Sequence, residues 1–96
     1  MLRLLSKIPL SLKRLSKENM DREILRVGII AELDAINLYE QMACMTENEN
    51  IKRVLLDIAK EEKTHVGEFQ ALLLINDKEQ EKELKKGERE VEELNR

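Results

Sequence analysis

The chain has 96 residues, of which 42% are hydrophobic and 39% are charged, with one tyrosine, one phenylalanine, one proline and three glycines. This composition is typical of one small domain of long helices, because a β fold needs more turn residues. The formal charge of −3 is uneven: residues 1–17 carry five basic side chains and no acid, and the remainder is acidic. The body of the domain is therefore not expected to bind nucleic acid. The single Cys44 rules out an internal disulfide.

Residues 1–15 form a leucine-rich, basic segment, which Pro9 prevents from being one smooth helix. Its two main interpretations are a loosely packed tail and a docking peptide whose leucines enter a groove of a partner. Adhesion to a membrane surface is a third. No apolar run in the chain is long enough to cross a membrane and no secretory signal is visible, so a cytoplasmic protein is expected.

Residues 16–75 are predicted to form an antiparallel hairpin of two helices. Ser16 is the predicted N-cap of the first helix, which is expected to end near Met45. Thr46 and Glu49 have the spacing of a capping box and are predicted to start the second helix, which continues to about Leu74.

Two glycines and the last segment complete the predicted fold. Gly28 and Gly67 are almost level across the hairpin, which predicts two places where the helices approach closely. Residues 76–96 are predicted to form a short charged helix that begins at Asn76-Asp77, with Gly87 as a break within it. Its sparse apolar residues are available to a neighbouring subunit. The predicted fold class is thus all-α, a two-helix hairpin plus a short C-terminal helix.

Three metal-binding residue types lie within the apolar faces of the two long helices. Glu62 and His65 are three residues apart on the second helix and project from one face, and Glu32 lies in the apolar stripe of the first. Glu32 and Glu62 are each fifteen residues from Glu47, so a hairpin turn there places them at the same height. A carboxylate on a core face is costly unless it is paired, protonated or bound to metal. One Glu facing a Glu-x-x-His motif is half of the ligand set of a ferritin-like di-iron bundle.

The stretches 30–41 and 59–69, IAELDAINLYEQ and AKEEKTHVGEF, resemble the encapsulated ferritins, which are short ferritin-like proteins packaged inside encapsulin nanocompartments. The resemblance covers roughly residues 18–95. It implies a homodimer that rebuilds a four-helix ferritin-like bundle, and dimers that assemble into a ring-shaped decamer. It also implies a ferroxidase that oxidises Fe(II) with oxygen at a di-iron centre between two subunits, while the encapsulin shell stores the mineral. Glu32, Glu62 and His65 would be the iron ligands, and Tyr39, seven residues after Glu32, a redox neighbour or an ordinary core tyrosine.

Two departures from the family pattern concern iron uptake and packaging. Ala31 stands where relatives carry an acidic residue of an outer site through which iron enters, although Asp34 remains acidic. The last residues, 91–96, do not resemble the leucine-rich basic loading peptide of packaged cargo, whereas residues 11–15 do, so residues 1–15 are predicted to dock on the shell. Some relatives have this domain fused to the shell protein, so the chain is also compatible with a fragment of such a fusion.

Two other functions remain open at this point. The first is a structural or adaptor bundle in which the buried polar residues set the pairing register. The second is a different di-metal enzyme on the same scaffold, such as a peroxide-consuming one. Iron-independent assembly would favour the first, and a preference for peroxide over oxygen the second.

Overall fold

The computed structural model describes residues 17–96, with only the backbone of Glu18, and these residues form three helices and no strand. Helix α1 spans Lys17–Met45, α2 spans Glu49–Asn76 and α3 spans Lys78–Leu94. The predicted all-α fold, a two-helix hairpin followed by a short helix, is confirmed. Within the described part of the chain, no helix is both long enough and apolar enough to cross a membrane. The predictions for residues 1–15 and for Ser16 as an N-cap lie outside the described residues.

Helix α2 begins two residues later than the sequence predicted. The N-cap is Asn48, whose Oδ1 accepts hydrogen bonds from the backbone N–H groups of Asn50 at 3.0 Å and Ile51 at 3.1 Å. The predicted capping box starting at Thr46 is wrong, because the Thr46 N–H still donates to the Met42 carbonyl at 3.2 Å and so belongs to the end of α1. The Thr46 hydroxyl instead accepts from the backbone N–H of Asn48 at 3.1 Å.

The core of the hairpin is small. Its buried apolar side chains are Ile36, Ala43, Ala59 and Leu73. Gly28 packs as predicted, since a Cβ built there would lie 3.2 Å from the ring of Phe69. The matching prediction for Gly67 is wrong: this glycine is exposed and a Cβ would meet nothing within 4 Å, because its helix position points away from α1. So small a core is typical of a chain that gains stability from a further copy or a bound metal.

A polar joint connects α2 to α3. Asp77 is the N-cap of α3: its Oδ1 accepts from the backbone N–H of Gln80 at 3.0 Å, and its Oδ2 accepts from the Arg26 guanidinium at 2.7 Å. The Arg22 Nε donates to the carbonyl of Asn76 at 2.7 Å. The bond from Gln80, and next the one from Arg26, lower the pKa of Asp77, against an opposing effect of its burial. The first residues of α3 are therefore fixed to α1, and the helix continues through Gly87 without the predicted break.

Candidate metal centre

The hairpin brings the three predicted metal-binding residues together. The His65 Nδ1 lies 3.5 Å from the Glu32 Oε2 and 3.6 Å from the Glu62 Oε2. Each of the three residues offers one donor atom, and these atoms all lie within 4.8 Å of one another. Glu32 comes from the middle of α1, and the other two come from α2. The equal distances of Glu32 and Glu62 from the turn thus place them at one height, as the sequence predicted.

One carboxylate oxygen of the cluster has no hydrogen-bond partner. The Glu32 Oε2 is buried and unpaired by hydrogen bonding, and the side chains of Glu32 and Glu62 are only 18% and 19% exposed. A buried carboxylate oxygen without a donor is costly, and a bound cation removes that cost. Donor atoms that share one ion at about 2.1 Å lie roughly 3–4 Å apart, which matches the separations of 3.5 and 3.6 Å between His65 and the two carboxylates. Two carboxylates and one imidazole suit iron or manganese, whereas structural zinc sites usually contain more sulfur or histidine.

The cluster opens onto a face of α2 that the described chain covers only in part. Four residues spaced by seven form a line along this helix, which we call the His65 row: Ile51, Ile58, His65 and Leu72. Ile51 and Leu72 are 50% and 51% exposed, and the His65 side chain is 44% exposed. The apolar stripe that the sequence places around His65 is therefore only partly buried within one hairpin.

Tyr39 lies on the same helix as Glu32, and its role beside the cluster stays a prediction. It is half-buried on α1, two helical turns beyond Glu32, which is about 10 Å along the axis. The Asp34 Oδ2, on the same helix, is also buried without a hydrogen-bond partner. Asp34 lines a cavity of about 250 Å³ together with Asn37, Leu38 and Gln41. The sequence offers no signal for this burial, because Asp34 lies outside the apolar stripe.

Comparison with a solved structure defines the class of protein. The chain is similar to the crystal structure of the encapsulated ferritin domain from Pyrococcus furiosus, with a TM-score of 0.80 and 60% sequence identity over 84% of this chain and 83% of that one. Its hairpin and short third helix are therefore a ferritin-like fold. The profile of the EncFtn-like family matches residues 8–89. The chain belongs to the EncFtn-like family.

Two curated relatives connect the family to encapsulins. The chain is 63% identical over 82 residues to a ferritin-like–encapsulin shell fusion protein of Pyrococcus furiosus, covering 85% of this chain and 24% of that protein. It is 38% identical over 68 residues to an encapsulin nanocompartment cargo protein of Myxococcus xanthus, covering 71% of this chain and 52% of that protein. The chain thus spans about a quarter and about half the length of these two relatives.

Proposed function

We propose that the protein is a ferroxidase that oxidises Fe(II) to Fe(III) with oxygen at a site completed by a second copy of the chain. The observation that carries this proposal is the convergence of Glu32, Glu62 and His65 around a buried carboxylate oxygen that has no hydrogen-bond partner. The donor set suits iron, and membership of the EncFtn-like family supports iron as the substrate.

The incomplete donor set and the uncovered His65 row support a dimeric site. One hairpin offers two carboxylates and one imidazole, whereas the ferritin-like site uses two such sets on four helices. A two-fold axis beside the His65 row brings the same three residues from both copies to one place, because such an interface is self-complementary. The two copies then supply four carboxylates and two imidazoles, which is enough for two iron ions. The same contact covers the exposed Ile51 and Leu72.

The residues of the cluster hold the substrate and balance its charge. The carboxylates of Glu32 and Glu62 offset the charge of Fe(II) and favour Fe(III) still more, so they lower the cost of oxidation. The His65 imidazole donates a nitrogen lone pair and fixes the position of the ion on α2. Each Fe(II) gives up one electron, and oxygen accepts the two electrons.

Encapsulins are the proposed partners. The relatives' names describe one protein fused to an encapsulin shell and one packaged as nanocompartment cargo. By this similarity, we propose that the protein acts inside an encapsulin compartment in the cytoplasm and supplies Fe(III) for storage there. We also propose that its dimers form a ring-shaped decamer, as the family resemblance implies.

Single substitutions at the cluster test the proposal. We expect Glu32→Gln, Glu62→Gln and His65→Ala each to slow the rise of ferric absorbance after Fe(II) and air are mixed with the protein. The loss is at least about tenfold, because removing even a group that only supports a metal ligand typically costs that much. Glu61→Gln is the matched control, since Glu61 is an exposed neighbour on the same helix. Wild-type rates in the Glu62→Gln variant would refute the proposal.

Tyr39→Phe separates a redox role of the tyrosine from a packing role. Removing the hydroxyl keeps the ring, so iron stoichiometry and thermal stability are expected to stay unchanged. We expect slower oxidation, measured by stopped-flow absorbance. An unchanged rate would make Tyr39 an ordinary half-buried tyrosine.

A further inference from the structure

Helix α3 lies beside the hairpin only at its start, where Gln80 and Leu84 line a cavity with Ile29, Ile30 and Leu73. Every residue from Lys82 to Arg96 is exposed. Three apolar residues nevertheless line one face of this helix, which we call the α3 row: Leu84, Val91 and Leu94. They are 43%, 59% and 84% exposed. Spacings of seven and three residues place them along one line, as in the seam of a coiled coil.

The positions beside this row are acidic. The four positions that flank the row are all glutamate: Glu81, Glu83, Glu88 and Glu90. The opposite face is mixed, with the cations Lys82, Lys85, Lys86 and Arg89 beside the acids Glu79, Glu92 and Glu93. Two copies of α3 paired through the row would place glutamate against glutamate, which opposes such pairing. The row therefore suits an apolar partner that carries positive charge.

The first fifteen residues of the chain have this composition. Among residues 1–15 there are six leucines, one isoleucine and four basic side chains, and no acid. Leucines match the apolar row, and the cations match the glutamates on its flanks.

The fold also brings the start of α1 close to α3. Arg26 of α1 contacts Asp77, the residue that precedes α3. Lys17, where α1 begins, is about 13 Å from Arg26 along the helix axis, and Leu84 is about 10 Å from Asp77 along α3. Fifteen residues can span up to about 50 Å. We propose that residues 1–15 dock along the α3 row of the same copy.

Disulfide trapping in the full-length protein tests this docking. The native thiol is removed by Cys44→Ser, and one new cysteine is placed in the segment by Ser6→Cys. A second cysteine is placed on α3 by Glu83→Cys, on the flank of the row, or by Lys82→Cys, the adjacent position on the opposite face. The two variants have nearly the same tether length, so they differ in the face of α3 that carries the thiol. We expect the Glu83→Cys pair to form an intrachain disulfide about tenfold faster, as docking raises the effective concentration on one face.

Charge reversal tests the basis of the attraction. In the Ser6→Cys/Glu83→Cys background, Glu88→Lys with Glu90→Lys is expected to slow trapping several-fold, whereas Lys85→Glu with Lys86→Glu is not. About 1 M salt should also slow it, since the screening length there is about 3 Å. Equal trapping on both faces of α3, or a Glu83→Cys disulfide formed between two copies of α3, would overturn the proposal.

Discussion

Leu72 and Leu73 are neighbours in α2 with opposite surroundings. Leu73 is 4% exposed and belongs to the hairpin core, whereas Leu72 is 51% exposed and lies on the His65 row. Replacing each with alanine therefore separates folding of the hairpin from its proposed pairing.

The two substitutions are expected to affect different processes, folding for Leu73→Ala and dimerisation for Leu72→Ala. Leu73→Ala empties a site inside the core and should lower the free energy of unfolding by about 2–5 kcal/mol. Burying a whole leucine stabilises by about 1.5–3 kcal/mol, so covering the exposed half of Leu72 is worth about 1 kcal/mol in each subunit. A symmetric dimer counts that contribution twice. Leu72→Ala should thus weaken dimerisation by about 2 kcal/mol, or roughly 30-fold in Kd.

Sedimentation equilibrium over a concentration series measures the dimerisation constant, and chemical denaturation measures folding. We expect Leu72→Ala to shift the monomer–dimer midpoint while the secondary structure of the monomer, measured by circular dichroism, is retained. If a second copy completes the site as proposed, iron oxidation in that variant should recover as protein concentration rises. An unchanged dimerisation constant for Leu72→Ala would refute the placement of the interface beside the His65 row.

Three further predictions concern stability. Asn48→Ala removes the acceptor for two backbone N–H groups and should cost about 1 kcal/mol in thermal unfolding; no loss would contradict the assigned cap. Gly67→Ala should raise stability by about 1 kcal/mol, whereas Gly28→Ala should gain less because its methyl meets Phe69 at 3.2 Å; equal gains would contradict the packing. Because the pKa of Asp77 is lowered, its carboxylate stabilises the fold at pH values above its ordinary pKa of about 4. That stabilisation is lost as the pH falls from the ordinary pKa to the lowered pKa. Asp77→Asn, which keeps a capping oxygen, should make unfolding less sensitive to pH in that range. An unchanged pH dependence of unfolding would contradict the stabilising role of the Asp77 carboxylate.

The convergence of Glu32, Glu62 and His65 is the part of the structure that the sequence predicts best. The number of residues from the turn gives the height of Glu32, Glu62 and His65 along the hairpin. The helical period gives the side of the helix on which each of them lies. The same reasoning found the close packing at Gly28 but failed at Gly67. Two residues at the same height in a hairpin are in contact only if the Cα–Cβ bond of each points toward the other helix.

Other features depend on information that a single sequence lacks. Thr46 and Asn48 are both good capping residues, and the backbone bond from Thr46 back to Met42 decides between them. The Arg26–Asp77 contact joins polar residues 51 positions apart, for which periodicity gives no signal. Periodicity also shows that α2 has an apolar face without showing whether the same chain covers it.

Anaerobic titration of Fe(II) into the full-length protein, with native mass measured at each step and air admitted at the end, tests the central claim most directly. A site completed by two copies predicts binding that saturates at two irons per dimer, a dimer stabilised by iron through mass action, and a rise in ferric absorbance on exposure to air. Saturation at one iron per monomer without pairing, or no stoichiometric binding with assembly unchanged, would contradict it. In the second case Glu32, Glu62 and His65 would be residues that set helix pairing, and the protein a structural module.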